Sequence, residues 1–111
     1  MAEKREITRK RKRLKVRFGI EYPKRVAFTE DLSACGLFII TAQPELPGSK
    51  LLLQIILPDE EEVIVRGRVM WAKKVPANLV HIAKKGGMGV RLTNFETGEK
   101  TFKDLLAELR R

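Results

Sequence analysis

Residues 14–22 read Leu14-Lys15-Val16-Arg17-Phe18-Gly19-Ile20-Glu21-Tyr22, with apolar and polar or small positions in strict alternation. Period two is the pattern of a strand with one face in a core. It places Leu14, Val16, Phe18, Ile20 and Tyr22 on the inner face, and it makes this a β protein from its first ordered segment.

Working outward, the punctuation is regular. Pro23-Lys24 is a turn, and Arg25–Leu32 is a second strand with Val26 and Phe28 on one face. Small and polar residues break the pattern from Asp31 to Gly36. Leu37–Thr41 is a short apolar strand, and residues 44–49, with Pro44, Pro47 and Gly48, form a loop. Lys50–Leu57 is a strand stopped by Pro58, and Asp59–Glu62 is an acidic hairpin tip. Val63, Val65, Gly67, Val69 and Trp71 give another period-two run. Pro76–Lys85 reads as irregular, Gly86-Gly87 as a flexible joint, and Met88–Leu92 as a last strand. Phe18, Tyr22, Phe28 and Trp71 fall at positions expected in the core. The period then changes. Phe102, Leu105, Leu106 and Leu109 are spaced i, i+3, i+4, i+7, one face of a helix over about 97–110, with Asn94 or Thr97 as its N-cap. The sum is an all-β fold with a C-terminal helix: six strands in an antiparallel barrel or sandwich, its open part covered by the helix.

Charge divides the chain unequally. The 111 residues carry a net charge of +9, and residues 1–17 hold nine basic side chains against Glu3 and Glu6. Seven of the nine net charges therefore sit on a basic arm, and the body is close to neutral. Residues 1–12 are expected to be flexible when unbound and to meet a localised anion, with residues 13–111 forming one barrel domain. One cysteine, Cys35, allows no internal disulfide and fits a reducing compartment. The N-terminus lacks the apolar segment of a secretory signal, and no apolar run reaches membrane-spanning length. The expected location is the cytoplasm.

Catalytic and metal-binding patterns are scarce. His81 stands alone, without a second histidine or a paired cysteine. No glycine-rich loop opens a helix to hold a phosphate. Neither an enzyme nor a metal or cofactor is expected.

Two short motifs remain. Arg9-Lys10-Arg11-Lys12-Arg13 has an Arg-x-x-x-Arg spacing just before the first strand. Asp31-Leu32-Ser33-Ala34-Cys35-Gly36 is an Asp-x-Ser-x-x-Gly turn between strands. Each alone is common. In this order around one hairpin they resemble the bipartite signature of the PilZ domain family, and residues 36–39, 67–71 and 87–92 resemble further segments of it. The resemblance implies a six-stranded antiparallel barrel with a C-terminal helix. It also implies a receptor for the bacterial second messenger cyclic di-GMP, with Arg9, Arg13, Asp31, Ser33 and Gly36 as ligand residues and Lys10, Lys12 and Gly89 as secondary contacts. Arg5/Arg9 and Arg13/Arg17 satisfy the first spacing too. Since the family's second arginine directly precedes the first strand, the resemblance selects Arg9 and Arg13.

The residue types suit that ligand. A guanidinium pairs with guanine O6 and N7, grips a phosphate in a bidentate manner, or stacks on a base. On an extended arm Arg9 and Arg13 would stand about 13 Å apart, enough to serve different parts of one dinucleotide. Asp31 can accept from the N1–H and N2–H₂ edge of guanine, Ser33 adds a hydroxyl, and Gly36 permits a positive φ and a close backbone approach. Ligand binding would order the arm and alter the surface seen by a downstream protein, and a homodimer is also allowed for. Two alternatives stand beside this reading: a PilZ-like interaction module without ligand, and a basic barrel that binds nucleic acid. The expected burial of the aromatics argues against the latter.

Overall fold

The computed structural model describes residues 9–75 and 86–109. Its strands are β1 (Lys10–Arg11), β2 (Lys15–Gly19), β3 (Arg25–Leu32), β4 (Gly36–Ile40), β5 (Lys50–Ile56), β6 (Glu62–Lys73) and β7 (Gly87–Thr97), followed by helix α1 (Glu99–Glu108). Every pairing is antiparallel. The ring runs β3-β2-β5-β6-β7-β4 and closes through β4 on β3, so six strands form a barrel. β1 continues the line of β2 along the same edge of β3.

The inward positions are those the alternation names along most of the chain. Leu14, Val16 and Phe18 from β2 and its approach, Leu51, Leu53 and Ile55 from β5, and Val63, Val65 and Val69 from β6 are buried. The helix adds Phe102, fully buried, whose ring meets Phe95 at 5.6 Å between centroids. Leu105, Leu106 and Leu109 pack beside it, partly buried. Phe102, Leu105, Leu106 and Leu109 thus cover the core from one side, as their spacing predicts.

Several expectations need correction. Alternation over residues 14–22 overran the strand: β2 ends at Gly19, where a Cβ would collide with the Tyr22 carbonyl oxygen, so the chain turns sharply there. Ile20 and Tyr22 are consequently exposed, at 52% and 58%. Val26 and Phe28 do share a face, but it is the outer one, because Ala27 and Thr29 point inward. In β6 the register against β7 shifts between Val69 and Trp71, which throws both Met70 and Trp71 outward. Trp71 is 51% exposed and Phe28 36%, so of the four aromatics expected in the core only Phe18 is buried.

The helix N-cap is neither Asn94 nor Thr97, which lie within β7, but Gly98. Its φ of 84° turns the chain from strand into helix without a side-chain cap. Gly87 is not part of a flexible joint: it opens β7, paired with Ile40 and Lys73, in a space too small for a Cβ beneath the Ile39 carbonyl. The arm is seated at its end, since Lys10 and Arg11 pair with Leu32 and Asp31. His81, the segment 76–85 and residues 1–8 lie outside the described residues.

Candidate functional site

The join between β1 and β2 is irregular. Arg11 is opposite Asp31 and Lys15 is opposite Phe28. The arm has one residue more than β3 between those two pairs, and it bulges. Thr29, wholly buried, holds the bulge. Its Oγ1 accepts from the Leu14 N–H at 2.9 Å and donates to the Lys12 carbonyl at 2.7 Å. The Lys12 N–H donates to the Glu30 carbonyl at 3.0 Å, so the backbone stays satisfied around the extra residue.

On an unbroken strand, residues four apart face the same way. Arg9 and Arg13 keep to that rule, both on the exposed face, yet they meet different partners. Arg9 meets Asp31, with Nη2 at 2.7 Å and Nε at 2.9 Å, both on Oδ1. Arg13 instead lies over the Phe28 ring, its Cζ 4.2 Å from the centroid. The Arg9–Asp31 pair is partly exposed, at 46% and 28%, so it contributes at most about 1 kcal/mol to stability.

A groove of about 780 Å³ opens beside that pair, within the ~300–1,000 Å³ range of small-molecule sites. It lies where the β3–β4 turn meets β4, β6 and β7. Of the residues singled out from sequence, Arg9, Asp31, Ser33, Gly36 and Gly89 line it, while Arg13, Lys10 and Lys12 do not.

Ser33 and Gly36 serve the groove differently from expectation. Ser33 is 1% exposed, and its hydroxyl is committed to the turn. Oγ accepts from the Gly36 N–H at 3.1 Å and the Cys35 N–H at 3.3 Å, and donates to the Gly36 carbonyl at 3.2 Å. Gly36 has no positive φ; among the described glycines only Gly48 and Gly98 do. Its smallness is needed for packing, because a Cβ there would stand 2.6 Å from the Val90 carbonyl oxygen on β7. The turn is a brace that fixes Asp31 against the barrel wall.

The opposite wall was not anticipated from sequence. It comprises Phe38, Met70, Trp71 and Arg91, with Cys35 at the turn. Phe38 and Trp71 stack at 5.3 Å with 18° between planes. The register shift at residue 70 aims this pair at the groove, and simple alternation carries no sign of it. Arg91 sits opposite Gly36 across the β4–β7 ladder and so borders the groove from the far side.

A closed six-stranded antiparallel barrel with a C-terminal helix is the architecture the resemblance implied. A family model described as the PilZ domain matches residues 3–108, and the chain belongs to that family. PilZ domains are receptor modules of the cyclic di-GMP-binding type rather than enzymes. Among solved structures the chain is similar to the Bacillus subtilis inhibitor of motility (MotI/DgrA), with a TM-score of 0.70 at 19% identity, over 98% of this chain and 53% of that one. That likeness is one of fold, and the chain spans about half the length of that protein. No curated protein matches the sequence. Among the described residues no helix is long and apolar enough to cross a membrane.

Proposed function

We propose that this protein binds cyclic di-GMP in the groove beside Asp31. The observation that carries the reading is the Arg9–Asp31 pair at the mouth of a groove walled by Trp71 and Arg91. A purely electrostatic phosphate site would gain nothing from a carboxylate at its centre, since Asp31 would repel the ligand. A guanine is different: its N1–H and N2–H₂ donors suit Asp31, its O6 and N7 suit an arginine, and its face suits an indole. Arg9 and Arg91 on opposite sides of the groove then meet the phosphates.

Arg13 enters this account as a moving part. Unliganded, it rests on Phe28; a phosphate or base within reach would draw it off. Phe28 would then present its ring on the outer face, and the arm would tighten along β3. The downstream protein reads that change in this proposal.

The exposure of Tyr22, Phe28 and Trp71 removes the argument that buried aromatics disfavour nucleic acid. What favours the dinucleotide is the acid in the groove and the aromatic wall beside it. Calorimetric titration of the whole chain with cyclic di-GMP, against Arg9→Ala/Arg13→Ala and Asp31→Ala, tests the reading. Saturable binding in the wild type, lost in the double variant and cut tenfold or more by Asp31→Ala, is the expected result. Native affinity in the double variant would show the motif assignment to be wrong.

A further inference from the structure

Three cations stand side by side on the outer face of β5, β6 and β7. Lys50 on β5 is the direct cross-strand partner of Arg68 on β6, and Arg68 is the partner of Arg91 on β7. All three are exposed. Direct partners in an antiparallel ladder share a face, and like charges so placed repel. Carboxylates are at hand nearby: Arg66, on the same face of β6, meets Glu96 at 2.6 Å. Yet among the described residues none of the three cations meets a carboxylate.

The row also has a cavity. A hollow of about 360 Å³ lies over Arg68, Arg91 and Thr93, with Met70 and Leu92 as its apolar sides. Met70 and Arg91 line the main groove too, so the hollow continues that groove along the barrel wall. It lacks any counterpart of Asp31, and therefore has nothing that would favour a base edge over a phosphate.

We propose that Lys50, Arg68 and Arg91 form a phosphate subsite contiguous with the groove. Two guanidinium forks on neighbouring strands can each grip non-bridging oxygens of one phosphoryl group, with the Lys50 ammonium as a third, more distant charge. The bound anion removes the mutual repulsion that the empty row carries. The phosphate belongs either to a second nucleotide lying beyond the one in the groove or to a separate phosphorylated small molecule. The first source rests on the dinucleotide reading above; the subsite itself does not.

The test is NMR of the labelled full chain, observing backbone amides and arginine Nε–H groups, with melting temperature alongside. The probes are sodium pyrophosphate and, separately, cyclic di-GMP, on wild type, Arg68→Gln and Arg9→Ala. Pyrophosphate is expected to shift residues 66–70 and 91–93 and to raise the wild-type melting temperature. Arg68→Gln should melt no lower than wild type without anion, because a repulsion has gone, yet bind pyrophosphate at least tenfold more weakly. Arg9→Ala should keep the pyrophosphate response. No response to pyrophosphate, or one that survives in Arg68→Gln, would overturn the subsite. Failure of the wild type to bind cyclic di-GMP, with its pyrophosphate response intact, would overturn the dinucleotide reading and support an independent subsite. A second equivalent of cyclic di-GMP, present in wild type and lost in Arg68→Gln, would support the subsite and identify a nucleotide as its source.

Discussion

Trp71 fills the space that a side chain at residue 89 would occupy: a Cβ built on Gly89 would overlap Nε1, Cε2 and Cδ1 of the indole. The ring is held from its other neighbour by the stack on Phe38. One glycine on β7 therefore seats the aromatic wall of the groove. Gly89→Ala should displace the indole and weaken cyclic di-GMP binding tenfold or more, while Phe102 and the rest of the core keep the fold. Calorimetry paired with circular dichroism checks both halves.

Trp71 is the chain's single tryptophan, so emission excited selectively at tryptophan reports on the groove alone. Titration with cyclic di-GMP should change the emission in a saturable way, and Arg9→Ala should remove the change. A change that survived in the variant would mean that the arm does not contribute to the site.

Thr29 joins both sides of the arm's bulge through one hydroxyl. Thr29→Val keeps the shape but leaves the Leu14 N–H and the Lys12 carbonyl without that partner, at a cost of about 1–3 kcal/mol. Thr29→Ser should restore most of it. Urea denaturation measures the difference. Ligand affinity should fall with Thr29→Val as well, because Thr29 ties the arm that carries Arg9 to β3.

Ser33 and Gly36 should respond to substitution chiefly in stability. Ser33→Ala removes the turn's three hydroxyl bonds and should cost about 1–3 kcal/mol. Gly36→Ala drives a methyl toward the Val90 carbonyl and forces β4 from β7, at about 1–3 kcal/mol. Thermal melts without ligand check this; unchanged melts would mean that the turn does not brace the barrel.

The barrel was legible because its strands are half-buried and punctuated by Pro and Gly, and the helix because Phe102, Leu105, Leu106 and Leu109 recur at helical spacing. Gly98 as cap and the true end of β2 were not, since a change of backbone direction leaves only a glycine as its trace. The site was half legible. The motifs gave Arg9, Asp31, Ser33 and Gly36, all of which line the groove. Phe38 follows the motif closely but was expected as an ordinary strand residue, while Met70, Trp71 and Arg91 come from strands distant in sequence, and two of them reach the groove only because the ladder slips by a residue at position 70. Alternation assigned Trp71 to the core, and one bulge was enough to reverse it. Arg9 and Arg13 share the exposed face that their spacing predicts, and only Arg9 reaches the groove.

The central claim is that cyclic di-GMP sits between Asp31 and the Trp71 wall. Chemical-shift mapping of the labelled chain during titration with cyclic di-GMP tests it most directly. Saturable shifts are expected, concentrated at Arg9, residues 31–36, Met70 and Trp71, and residues 89–91. An absence of saturable shifts, or a set centred on another face of the barrel, would contradict it.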